Sequence, residues 1–190
     1  MTLKARAFSY LGAFSAGCVL LAGCTPADGT IPAPPPATPA SASATPPETA
    51  QQREERVAYE AAEKAYRTFA AEYARLQQQD EGTGGPTKIM TDNAAGPYLK
   101  AMRGFLRSKA EKGTHSDSAV RIAYILRGGY SADELILLVC QDGSDVKVLD
   151  RSNEVVGKGT VSKLNIYLRP ISGRWKIWSA HQEVVKSCAA

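Results

Sequence analysis

The residues able to do chemistry in this chain are few and scattered. Among 190 residues there are two histidines, His115 and His181, and four cysteines, Cys18, Cys24, Cys140 and Cys188. Two imidazoles cannot build a His-based metal site unaided, so no metal site is expected. Acid–base chemistry would need a carboxyl, imidazole or phenol in an apolar pocket, where burial moves its pKa into working range. The residues of suitable type are Asp92, His115, Tyr124, Tyr167 and His181. His115 stands in Gly113-Thr114-His115-Ser116-Asp117, a stretch with loop composition, and reads as a surface residue. His181 shares alternate positions with Trp175 and Ile177, which places the three on one strand face. Tyr124, Tyr167 and His181 are the pocket candidates, with a structural or rim role the competing reading for each.

The remaining motifs are weaker. No nucleophile elbow or cofactor fingerprint occurs, and no cofactor is expected. Gly82-Thr83-Gly84-Gly85-Pro86 lacks the GK[ST] ending of a phosphate-binding loop and reads as a connector. Asp142-Gly143-Ser144-Asp145 lacks the full Asp-x-Asp-x-Asp-Gly pattern of a calcium loop and reads as a hairpin turn.

The N-terminus carries a different chemistry. Lys4 and Arg6 precede an apolar stretch from Ala7 to Leu21, followed by Leu21-Ala22-Gly23-Cys24. A positive start, a short apolar core and small residues at the cut are what a secretory signal needs. The core is shorter than the ~20 apolar residues of a bilayer span. Leu21 to Cys24 resembles the lipobox of bacterial lipoprotein precursors. That resemblance implies removal of residues 1–23 and a diacylglycerol on Cys24. Membrane lipid is then the first partner, and the outer face of the cell membrane the expected location. An ordinary secreted protein cut nearby, or an uncleaved anchor, is the rival reading.

On that processing Cys18 leaves with the signal and Cys24 carries lipid. Cys140 and Cys188 remain, outside the cytoplasm, where disulfides persist, and an even pair is what one bridge requires. Their spacing of 48 positions, without a CxxC, matches no zinc site.

The elements that would position these residues follow from composition and period. Residues 24–50, the lipidated cysteine and a stretch of Pro, Ala, Thr and Ser, cannot bury enough apolar surface to fold and read as a tether. At ~3.1 Å per residue it reaches at most about 80 Å. Residues 51–190 suit one domain. Ala62, Tyr66, Phe69, Tyr73 and Leu76 recur at helical spacing within a helix expected over 51–79, with Glu54, Glu55, Lys64, Arg67, Glu72 and Arg75 largely on other faces. A second helix is expected over 97–112, with Tyr98, Leu99, Met102, Phe105 and Leu106 on its apolar face. Its other side carries Lys100, Arg103 and Arg107. Anionic lipid or wall polymer could meet that stripe, and a solvated face is the preferred reading.

After Gly113 the period changes to two. Strands are expected over 120–126, 134–141, 145–151, 155–157, 160–170 and 174–182, with Ser152-Asn153-Glu154 as a turn. The nearly continuous apolar run Glu134 to Gln141 reads as a central strand covered on both faces. Helices followed by a meandering antiparallel sheet make an α+β domain. Lys and Arg number 23 against 19 Asp and Glu. Without Lys4 and Arg6 the charge is about +2, which gives no reason to invoke nucleic acid.

This order, the Cys in CQDGSDVKVLDRS, the late Gly-Arg-Trp-Lys-Ile strand and the near-terminal Cys resemble the NTF2-like lipoproteins of actinobacteria. The resemblance implies N-terminal helices packed on a curved antiparallel sheet, an NTF2-like or cystatin-like cone. Such cones serve as enzymes, binding pockets and assembly modules, so fold does not fix function. The leading expectation is a non-catalytic binding or assembly module, with an envelope protein or small apolar ligand as partner. A ligand-binding or isomerase/dehydratase-like pocket in the cone is the alternative.

Overall fold

The computed structural model describes residues 47–79 and 84–189. The expected signal segment, Cys24 and all but the last few residues of the tether lie outside them. The described residues belong to one unit, Thr45–Ala190. No helix among them is long and apolar enough to cross a membrane.

Helix α1 (Ala50–Gln77) starts on a capping box: Thr49 Oγ accepts from Gln52 N–H, and Gln52 Oε1 accepts from Thr49 N–H. These contacts satisfy two donors at the chain's entry into the helix. Its apolar stripe is the expected one. Tyr59, Ala62, Tyr66, Phe69 and Leu76 are buried, and Tyr73 packs beside them. Glu72, expected on a soluble face, is buried instead and holds Arg75 through two 2.8 Å contacts. Helix α2 (Lys88–Asn93) is an element the period did not reveal. Six residues are too few for one. Helix α3 (Gly96–Lys112) carries Pro97 in its first turn and stops at Gly113, whose φ of 64° is left-handed.

Seven strands follow: β1 (His115–Ser116), β2 (Arg121–Tyr130), β3 (Leu135–Asp142), β4 (Lys147–Leu149), β5 (Val155–Lys158), β6 (Val161–Ile171) and β7 (Arg174–Val185). They form two antiparallel sheets rather than one meander. The larger has the order β2-β3-β6-β7 and is open, and the smaller has the order β1-β4-β5. Leu135, Leu137, Val139, Leu164, Ile166, Leu168 and Ile177 face the helices and complete a core drawn wholly from Ala58 to Ile177. The fold class is therefore α+β, helices on one face of an antiparallel sheet.

Strand β3 is central, as its apolar run implies, but only one of its faces is fully covered. Leu138 on the other face is 36% exposed. Cys140 shares that outer face and is nevertheless buried, because it is bonded to Cys188. Reaching it takes the tail after β7 across β6. The expected bridge is present.

Candidate functional site

In an antiparallel pair, residues opposite each other share a face. Tyr124 is opposite Cys140, Tyr167 lies between the core residues Ile166 and Leu168, and His181 is opposite Asn165. All three candidates therefore stand on the outer face of the larger sheet, away from the helices. The structure brings them onto one surface, but not into the helix-covered interior where a cone pocket would lie.

Two bulges produce this placement. Strict alternation would put His181 with Trp175 and Ile177. The β6–β7 register shifts between Tyr167 and Leu168, leaving Trp178 as an extra residue. An extra residue inverts the faces of everything beyond it. A second shift, between Ile122 and Tyr124, does the same on β2: Ile122 and Ile125 pack on the core while Tyr124 turns outward. Ile136 and Leu138 join Tyr124 and Tyr167 on the outer face, with Leu126, which is 54% exposed.

The other two candidates also have definite places. Asp92 is on the surface of α2, paired with Lys88 at 2.6 Å, which holds its carboxyl below the usual range. His115 is not a surface loop residue. It forms β1, opposite Leu149, and is buried. The stretch after Gly113 pairs with β4, which lies about 30 residues further on. No local pattern announces that contact.

His115 lines a hollow of about 260 Å³ with Gln77, Phe105, Lys109, Lys112 and Val148. Lys109 is buried there, and its Nζ donates to Leu76 O (2.6 Å) and Gln79 O (3.1 Å). A cation on the last carbonyls of α1 is the favourable end for the helix dipole. A second hollow, about 530 Å³, is lined by Asp133, Glu134, Arg169, Pro170, Ile171 and Trp178. Arg169 spans it, contacting Glu134 at 3.1 Å and lying 5.2 Å from the Trp178 ring centre. Neither hollow is lined by Tyr124, Tyr167 or His181.

The phenols that do lie between helices and sheet are those of the apolar stripes. Burial pushes Tyr66 up to about 12, against the pull of the Gln141 amide, which donates to its Oη at 2.7 Å. Burial likewise raises Tyr73 to about 12 and Tyr98 further. These groups stay protonated at neutral pH and serve packing and hydrogen bonding rather than proton abstraction. Glu72 is held ionised by Arg75. Among the described residues no group of three or more His, Cys, Asp or Glu is placed to hold a metal.

The Asp142 turn is the most strongly shifted carboxylate. Ser144 Oγ and N–H donate to Asp142 Oδ1 at 2.7 and 3.1 Å, and Arg121 donates to Oδ2 at 2.7 Å. Together they lower its pKa from 3.8 to about 2, Ser144 contributing most. A depressed carboxylate stabilises the fold above its unfolded pKa and loses that contribution as pH falls through the folded value. We therefore expect an Asp142 carboxyl NMR titration with a midpoint near 2, moving up in Ser144→Ala. An unchanged midpoint in the variant would remove Ser144 as the main cause.

No family model matches the sequence, and comparison with curated proteins finds no match. A crystal structure of a protein of unknown function with a cystatin-like fold, from Nostoc punctiforme, is similar in fold. It is 15% identical, with 73% of this chain and 95% of the other covered, at a TM-score of 0.33. A likeness at that level transfers no activity, ligand or residue role.

Proposed function

We propose that this protein is a lipid-anchored extracytoplasmic lipoprotein of the actinobacterial NTF2-like kind, whose domain is a non-catalytic binding module. Cys24 holds it at the outer face of the cell membrane, and the Pro-rich segment spaces it from the anchor. The open face of the larger sheet engages an envelope protein. The observation that carries the binding role is that face. It gathers Tyr124, Leu126, Ile136, Leu138 and Tyr167 where the three helices do not pack, with Leu126 and Leu138 well exposed. Contiguous exposed apolar and aromatic surface is the usual mark of a protein-binding patch. The anchor rests on the order of charge, apolar core and Leu21-Ala22-Gly23-Cys24. A pocket enzyme is the second reading, and it would need a different acid or imidazole from the three outer-face residues.

The test has two arms. Native protein is expected to carry diacylglycerol on Cys24 by mass, and Cys24→Ala to leave the membrane fraction. A native mass without lipid would sink the anchor. A photo-crosslinking residue at Leu138 is expected to give a discrete protein adduct in cells that is lost with Tyr167→Asp. The same residue at exposed Thr68 on α1 is expected to give none. Equal adducts from both positions, or none from Leu138, would sink the binding face.

A further inference from the structure

We infer that the exposed side of α3 docks the domain onto the anionic surface of the membrane that holds its anchor. The inference rests on the lipid-anchored reading above and adds an orientation to it. Helix α3 carries five cations, Lys100, Arg103, Arg107, Lys109 and Lys112, against one anion, Glu111. That net charge exceeds the +2 of the whole chain without its signal segment, so the rest of that chain is net negative. The positive charge is concentrated on one element.

Helix α1 treats its charges differently. All four of its arginines are paired: Arg53 and Arg56 with Glu48, Arg56 also with Glu60, Arg67 with Glu63 and Arg75 with Glu72. On α3, by contrast, Lys100, Arg103, Arg107 and Lys112 are exposed, with no ion-pair or hydrogen-bond partner among the described residues. Only Lys109 turns inward, to cap α1. Spacing of three and four residues sets Lys100, Arg103 and Arg107 along one side of the helix. From Lys100 to Lys112 the cations span roughly 18 Å at 1.5 Å per residue.

Exposed, unpaired cations along one side of a helix fit an anionic headgroup layer, where they meet phosphates. A tether of at most about 80 Å keeps the helix within reach of that surface and raises its effective concentration there.

The test uses the chain from Thr25 onward, which lacks the anchor but keeps every core residue. It is sedimented with vesicles of phosphatidylcholine alone, or with roughly one-third phosphatidylglycerol. Binding is expected only to the anionic vesicles, weakening as salt rises. Lys100→Glu/Arg103→Glu/Arg107→Glu is expected to lower partitioning at least roughly a hundredfold. The equally charged control Lys64→Glu/Lys158→Glu/Lys186→Glu is expected to keep most of it. Equal losses in both variants would mean that net charge, not α3, drives binding. Binding to neutral vesicles, or to soluble acidic polymer and not to vesicles, would also overturn the inference. Absence of lipid on native Cys24 is read separately, by mass, and touches the anchor alone.

Discussion

Replacing Cys140 and Cys188 together by alanine is expected to lower the unfolding free energy by roughly 4 kcal/mol, the loop-closure value for about 49 residues. For a domain near 140 residues this lowers the melting temperature by roughly 10–15 °C. The bridge does more than close a loop. It pins the tail beyond β7 across β6 and seals Cys140, which would otherwise stand on an uncovered sheet face beside Tyr124. The alanine variant should therefore also lose hydrogen-exchange protection around Cys140 and in the last residues, while the core facing α1 keeps its own. Urea unfolding with and without reductant measures the energy, and exchange locates it. A loss under about 1 kcal/mol would mean that the tail constrains little in the unfolded chain.

Gly96→Ala is expected to cost roughly 2–5 kcal/mol, from two separate causes. Gly96 has φ +56°, in the left-handed region that a Cβ disfavours by roughly 1–2 kcal/mol. A Cβ there would also lie 2.4 Å from the Trp178 ring, so ring or helix must shift, at roughly 1–3 kcal/mol. Gly104→Ala, on the same helix, is the matched contrast. No atom lies within 4 Å of its Cβ position, and its φ is ordinary. It should gain roughly 0.5–1 kcal/mol. Chemical denaturation of both variants, with Trp178→Leu added to the first, separates the causes. The double variant should recover the steric part and keep the backbone part. Equal effects at Gly96 and Gly104 would show that helix propensity alone matters.

Trp178 links that prediction to the candidate surface. It is the bulged residue of β7, it packs on the start of α3, and beyond it the faces of β7 exchange. Its position decides which way His181 points.

Much of the architecture was legible in the residues. The α1 stripe from Ala62 to Leu76 has a strong helical period, and those side chains meet the sheet. Pro97 and Gly113 bracket α3 as their backbone preferences require. The Thr49–Gln52 capping box stands in the sequence as T-x-x-Q, inside the stretch 24–50 whose composition reads as tether. Other features had no local signature. Helix α2 has six residues and β1 two. His115 is buried by pairing with β4, and Glu72, three residues after Phe69 and four before Leu76, is buried at the edge of the α1 stripe despite its charge.

By itself the sequence determined the order and type of the main elements and the apolar faces of both long helices. Those follow from period and backbone preference, both of which act along the chain. Tertiary structure decided which face each candidate side chain takes. Tyr124 and His181 lie just past bulges, and one added residue in a strand moves every later side chain to the other side. A bulge is set by how two strands align on a shared core, so strict alternation along either strand misplaces both residues. The surface that carries the proposed binding role is a product of that alignment.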